Sequence, residues 1–286
     1  MVIVCASVFL GTVYPLIIET FSGNKISVGE PYYNSTVIPL ITPAILIMGI
    51  VPLLTWNDVN FKKLIKKIYP NIVVLIIVNI LFFWIYKSFN ILGFLGISLF
   101  SWLLSNILFV LINRLDLNKN IKVLKYYLPT NSNSMLIAHT GIALLILGIT
   151  ASSVWQSEKI VRMKIGEIVK INNYEIVFKE LKEKKVNNYF ALQAKFYVYD
   201  DKKVLVSELN PENRIYPITN NTTTEASIHT NIKRDLYIVL GDGNEEEGMI
   251  IRIYYNPLVI WIWIGASLIF LGGLTSIKRN YNFFKK

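Results

Sequence analysis

Six apolar stretches, each close to the length that crosses a lipid bilayer, constrain this 286-residue chain more than any other feature. They run over about residues 2–20, 36–56, 71–87, 91–113, 135–155 and 257–277. A helix needs roughly 20 apolar residues to cross the hydrocarbon layer. In lipid, only a helix satisfies every backbone polar group within one segment. The third stretch is short, and only Lys87-Ser88-Phe89-Asn90 parts it from the fourth, as a tight turn at a membrane surface would. Pro15, Pro39, Pro43 and Pro52 lie in or at the ends of these runs, where neighbouring helices can satisfy the freed carbonyls. Residues 1–20 have no basic leader region and no A-x-A cleavage pattern, so they read as a retained span. Charged residues make up 17% of the chain, against about 25% in soluble domains. The deficit falls in the apolar runs, which excludes a wholly soluble protein. The expected fold is a polytopic α-helical membrane protein of six spans, with one β-rich extracytoplasmic domain inserted between spans 5 and 6.

The basic residues set the sidedness. Segment 57–70 carries Lys62, Lys63, Lys66 and Lys67 against Asp58, and segment 114–134 carries Arg114, Lys119, Lys122 and Lys125 against Asp116. The tail adds Lys278, Arg279, Lys285 and Lys286. These regions hold 12 basic and 2 acidic residues and so account for the whole net charge of +10. Positive loops stay on the cytoplasmic side. Both termini are therefore expected in the cytoplasm, and segments 21–35 and 156–256 in the opposite compartment, the periplasm of a bacterium. The same distribution argues against a nucleic-acid site, which would interleave basic and aromatic residues on a folded domain.

Three regions are expected: a five-span membrane domain over 1–155, a β-rich domain over 156–256, and a sixth span with a basic cytoplasmic tail over 257–286. Residues 156–256 alternate as short strands at 159–164, 167–171, 174–180, 190–200, 203–208, 233–240 and 249–255. Asn172-Asn173 and Asp242-Gly243 are expected hairpin turns. Seven short strands predict an antiparallel barrel or sandwich. Its charges balance at 15 basic and 15 acidic, which suits docking better than electrostatic capture. Segment 21–35 is too polar and Gly-rich for a span. It either turns the chain or packs beneath the β domain or a ligand.

Chemistry-bearing residues are few. Cys5 is the lone cysteine, which excludes an internal disulfide and a CxxC site. His139 and His229 are the only histidines. His139, in Ala138-His139-Thr140-Gly141, sits one turn into the fifth span. An ionisable residue at that depth is costly and usually functional. It is either a haem ligand or a neutral imidazole bonded to a neighbouring helix. Trp261 and Trp263 open the sixth span, with Trp155 at the same height, as an aromatic belt or as a wall against a flat apolar ligand. His229 is expected in an exposed loop. Asp116-x-Asn118-x-Asn120 lacks the Gly and Glu of a calcium loop, and Gly241-Asp242-Gly243 lacks the helix of a phosphate loop. No nucleophile has a base beside it. A permease is disfavoured, because His139 is almost alone as a buried ionisable group.

Several motifs then accumulate in order. Gly11-Thr12-Val13-Tyr14-Pro15, the loop Lys25-Ile26-Ser27-Val28-Gly29-Glu30-Pro31-Tyr32-Tyr33-Asn34 and Ala138-His139-Thr140-Gly141 are followed by Val161-Arg162-Met163-Lys164-x-Gly166 and Thr224-Glu225-Ala226-Ser227-Ile228. Arg234-Asp235-Leu236-Tyr237, Tyr254-Tyr255-Asn256-Pro257-Leu258-Val259, Trp261-Ile262-Trp263-Ile264-Gly265 and Leu271-Gly272-Gly273 complete the series. Together they resemble the C-terminal part of the CcmF-type cytochrome c haem lyases, and the paralogous nitrite-reductase haem lyases share them. The resemblance covers nearly the whole chain. It implies an inner-membrane protein of the cytochrome c maturation system. Such a protein helps move haem from the periplasmic chaperone CcmE to the CxxCH cysteines of apocytochrome c. It implies His139 as an axial ligand of an intramembrane haem b, with the second ligand supplied by another chain. It also makes Trp261 and Trp263 candidates for the border of the haem-accepting cleft, and the transferred haem a substrate. The implied partners are the lyase's N-terminal half, CcmE, a CcmH-type apocytochrome-handling subunit and apocytochrome c.

The family's Trp-rich haem segment, its two external histidines and its second membrane ligand belong to the N-terminal part. The resemblance therefore implies lyase activity only within a complex, from either a split subunit or a gene fragment. The competing expectation is a non-catalytic membrane scaffold that docks maturation partners through its β domain.

Overall fold

A computed structural model describes residues 2–54, 61–86, 90–115, 131–244 and 246–283. Six long helices form: α1 (Val2–Ser22), α2 (Glu30–Ile50), α3 (Phe61–Tyr86), α4 (Ile91–Leu115), α5 (Asn131–Val154) and α6 (Val259–Phe283). All six are long and apolar enough to cross a membrane. Ten strands follow α5 and precede α6 in the chain. Two compact units result, residues 1–143 with 267–286, and residues 144–266.

Within the first unit, α4 is the most enclosed helix, with Trp102, Leu103, Asn106 and Ile107 all buried. It packs against α2 and α3. Gly49 on α2 makes the first contact possible. A Cβ there would lie 2.4 Å from the Trp102 indole nitrogen, which donates 3.1 Å to the Leu46 carbonyl. The second contact is polar. Asn71 of α3 donates 2.9 Å to the Asn106 amide oxygen, and Ser98 of α4 donates 2.9 Å to Asn79. Small and amide side chains of this kind hold helices together where water cannot. By contrast, Phe9, Leu16, Ile76, Ile77 and Phe83 on α1 and α3 stay exposed, as side chains facing lipid would.

Two helix starts differ from expectation. Helix α2 begins at Glu30, so Pro31 and Tyr32-Tyr33 form its first turn rather than a loop. Proline suits that position, because its missing N–H would have had no partner there. The Tyr32 hydroxyl then reaches α1 and donates 2.9 Å to the Ser7 carbonyl. Helix α3 begins at Phe61, so Lys62, Lys63, Lys66 and Lys67 ride on a helical turn. Lys67 Nζ donates 3.1 Å to the Leu53 carbonyl just past α2. Asn90 caps α4 by accepting from the amides of Leu92 and Gly93. The Lys87–Phe89 turn, the calcium-loop decoy at Asp116–Asn120 and most of the basic segment 114–134 lie outside the described residues.

The second unit is a two-sheet sandwich. One sheet runs β1 (Ser157–Met163), β10 (Gly248–Pro257), β9 (Arg234–Asn244), β8 (Ser227–Thr230). The other runs β2 (Ile168–Ile171), β3 (Tyr174–Lys185), β4 (Phe190–Asp200), β6 (Glu212–Tyr216), β7 (Asn221–Glu225), with β5 (Leu205–Leu209) also on β4. Alternate residues point inward, so Leu236, Ile238 and Leu240 of β9 meet Ile251 and Ile253 of β10 and the stacked Phe178–Phe196 pair. Asn172 makes the expected turn between β2 and β3, at a φ of 46°. Asp242-Gly243 does not turn. It continues β9 past a bulge, and Gly243 pairs with Met249 at a φ of 157°. A side chain on Gly243 would strike the Gly248 carbonyl. Strands β6, β7 and β8 were not expected; β7, Asn-Thr-Thr-Thr-Glu, has no apolar alternation to announce it.

Candidate functional site

Helix α5 carries His139 on its ninth residue. The imidazole is half-buried, and its Nδ1 is enclosed. The Thr140 hydroxyl is occupied by the Leu136 carbonyl at 2.8 Å. One residue before His139, α6 comes very close: a Cβ on Gly272 would lie 2.8 Å from both the Ala138 nitrogen and its Cβ. Thr275 of α6 donates 2.9 Å to the Ser134 hydroxyl. This small-residue seam brings α6 against α5 on the N-terminal side of His139. Among the described residues, no group of three His, Cys, Asp or Glu side chains forms that could hold a metal ion.

Trp261 and Trp263 belong to the other unit. The Trp261 Nε1 donates 3.0 Å to the Ile232 carbonyl, tying the β8–β9 turn to the third residue of α6. Trp263 is 67% exposed. Trp155 follows the last residue of α5 and donates its amide to Ala151 at 3.1 Å.

Two further features of the sandwich escaped sequence reasoning. The first is Arg234, fully buried, with its guanidinium carbon 4.3 Å from the centre of the Tyr174 ring. Its Nη1 donates to the His229 Nδ1 at 2.8 Å and the His229 carbonyl at 2.9 Å. His229 therefore lies half-buried in strand β8, not in an exposed loop. Burial first, and the Arg234 charge second, lower its pKa below the usual imidazole value. The Arg234 Nε and Nη2 meet no partner among the described residues.

The second feature is a trough of about 530 Å³ on the outer face of the β1–β10–β9–β8 sheet, walled by β6 and β7. Tyr237 and Tyr254 form its floor as an edge-on pair with ring centres 5.4 Å apart, beside Arg252. A hydrogen bond to Glu158 leads the causes that raise the Tyr254 pKa. Asn213 and Asn256 also line the trough, each with an enclosed amide oxygen lacking a partner. Thr224, Tyr237, Tyr254 and Asn256 all lie in the motifs quoted above, so four separate motif positions converge on this one surface. The signal was legible as exposed-strand positions within those motifs. Their convergence required the sheet.

Six apolar helices with a two-sheet sandwich between the fifth and the sixth define a helical protein of membrane type bearing one β module. The family model "CcmF C-terminal beta-sandwich" matches residues 154–257. The cytochrome c-type biogenesis protein CcmF of Pseudomonas fluorescens is 31% identical over 285 residues, covering 98% of this chain and 42% of that protein. CcmF of Escherichia coli K12 is 32% identical over 268 residues, covering 93% and 40%. NrfE of Haemophilus influenzae is 29% identical, covering 96% and 42%. A solved structure, "Cytochrome c Heme Lyase CcmF", superposes with a TM-score of 0.71 at 21% identity, covering 96% of this chain and 43% of that one. The chain carries the C-terminal region of the CcmF family, and spans less than half the length of the relatives it matches.

Proposed function

We propose that this chain is the C-terminal portion or a split subunit of a CcmF-type cytochrome c haem lyase, and that His139 is an axial ligand of an intramembrane haem b. The observation that carries this reading is His139, an ionisable side chain within an apolar helix beside the close approach of α5 and α6. The helices span a bacterial inner membrane six times, with both termini in the cytoplasm and the β domain in the periplasm. The second axial ligand comes from the N-terminal half of the lyase. CcmE delivers haem, a CcmH-type subunit presents the apocytochrome, and the thioethers form at its CxxCH cysteines.

The bound haem would supply an electron that keeps the transferred iron ferrous. The labour of this chain's own residues is positional. Ser134, Ala138, Gly272 and Thr275 fix the height and rotation of His139. Trp261 and Trp263 border the haem-accepting cleft. The Tyr237–Tyr254 trough docks a maturation partner. Holding reactants in register of this kind lowers a barrier by up to ~7–11 kcal/mol.

The test is the visible absorption spectrum of the chain co-purified with the lyase's N-terminal half, before and after dithionite. A b-type spectrum is expected, lost in His139→Ala with the complex intact. An assembled complex without haem would leave the scaffold reading, for which the trough is the supporting surface. Trp261→Leu with Trp263→Leu should lower cytochrome c yield; a normal yield removes them from the cleft. Deleting residues 160–250 should abolish complex assembly; an intact complex removes the docking role.

A further inference from the structure

The turn between β8 and β9 is unusually well held for a surface hairpin. The Asn231 side chain accepts from the amides of Lys233 and Arg234 at 2.9 and 2.8 Å, and the Asn231 amide donates 3.0 Å to the Arg234 carbonyl. Both tip carbonyls are then taken by the start of α6. Ile232 accepts from the Trp261 indole at 3.0 Å, and Lys233 accepts from the Leu258 amide at 3.0 Å. Leu258 itself adopts a φ of 57°, the left-handed conformation that swings β10 sharply into the helix. Despite this anchoring, the Ile232 side chain is 61% exposed, and Lys233 beside it is exposed.

The depth of this tip follows from the length of α6. Its apolar window, Val259–Ile277, is 19 residues. At 1.5 Å per residue that is about 28 Å, against a hydrocarbon layer of ~30 Å. No residue is spare, so Val259 must sit at the layer's edge. Trp261 is then at or just inside that edge, and the Ile232 carbonyl is level with it. An apolar side chain, a cation and a half-buried tryptophan at one level have the composition of a membrane interface.

Resting on the six-span reading above, we propose that the Ile232–Lys233 tip is a lipid contact. Ile232 enters the acyl boundary of the outer leaflet, and Lys233 pairs with a phospholipid phosphate. Trp261 thereby joins a strand turn and the start of a spanning helix at the bilayer surface.

The test uses the full chain in vesicles of phosphatidylethanolamine and phosphatidylglycerol, with Cys5→Ser as background. A nitroxide is placed by Ile232→Cys, by Ile218→Cys on the 91%-exposed β6–β7 turn, and by Phe270→Cys midway along α6. Relaxation by oxygen and by a water-soluble nickel chelate is compared. The oxygen preference at 232 is expected to be several-fold that at 218 and below that at 270. Lys233→Glu should reduce the preference at 232, and an unchanged value would overturn the phosphate pairing. Position 232 matching 218, with 270 lipid-like, would overturn the lipid contact and leave the six-span reading standing. A water-like 270 would overturn that reading and this inference together. Lys233→Cys gives a second label site if the Ile232 variant does not fold.

Discussion

Arg234 and His229 form a hydrogen-bonded pair, and burial first and the Arg234 charge second hold the His229 imidazole below its usual pKa. The guanidinium donates to Nδ1, so a proton on that nitrogen would break the bond and set two positive charges against each other. A histidine whose folded pKa is lowered contributes stability that is complete above the unfolded value of about 6.5 and is lost as pH falls from there toward the folded value. The protection factors of the β9 amides against hydrogen exchange, measured on the whole chain in detergent, should fall between pH 7 and pH 5. In His229→Gln that pH dependence should flatten. Glu212 behaves oppositely in cause. Burial pushes its carboxyl up, but the hydrogen bond from Arg214 and the charges of Lys184 and Arg214 outweigh burial and hold it low. Its carboxylate accepts from Gln193 at 2.6 Å and from Arg214 Nε at 2.8 Å. Removing it in Glu212→Ala strips Arg214 and Gln193 of a buried partner, and the cost should be about 3 kcal/mol, read as a lower unfolding midpoint.

At the scale of elements, helix contacts in the apolar half rest on close approach at glycine and on a few amides. Gly49→Val would drive methyl groups into the Trp102 indole, and overpacking costs typically 1–3 kcal/mol. Thermal unfolding in detergent should show the loss, together with exposure of Trp102 to solvent quenching. Asn106→Leu should cost less, about 1 kcal/mol, because Asn71 keeps its bond to the Lys67 carbonyl. Gly272→Leu carries a different expectation. It would part α5 from α6 beside His139, so the proposed haem absorbance should fall further than stability does. If the two fall in proportion, the seam serves packing alone. Among the strands, β1 and β10 pair across the ends of the domain, Ser157 with Tyr255 through Met163 with Met249. That pairing returns the chain to where it left α5.

For the whole molecule, the six-span reading demands that the sandwich be reached from the periplasm. Ile218→Cys in intact cells with a permeable outer membrane should react fully with a membrane-impermeant maleimide, whereas a cysteine beside Lys278 should react only after lysis. Labelling of both before lysis would reverse or abolish the assigned topology. This balance of basic residues was readable directly, because orientation depends on how many charges a segment holds and not on its partners.

Contiguous hydrophobicity is a local property, so the sequence by itself determined the six helices, and alternation located most strands of the sandwich. It also singled out His139, since an ionisable side chain in an apolar run is visible without a structure. Only the tertiary structure decided what depends on distant partners. Strands β6 to β8 carry little alternation and are strands because β4, β6 and β9 offer them hydrogen bonds. Gly243 looked like a turn, but lies in a strand because Met249 pairs with it. His229 looked exposed, but is held by an arginine five residues away whose charge is itself buried against Tyr174. The trough exists because residues from four strands of both sheets, Asn213 to Asn256, come together. Burial and pairing between such positions are set by packing across the fold, and no window of the chain contains both sides of them.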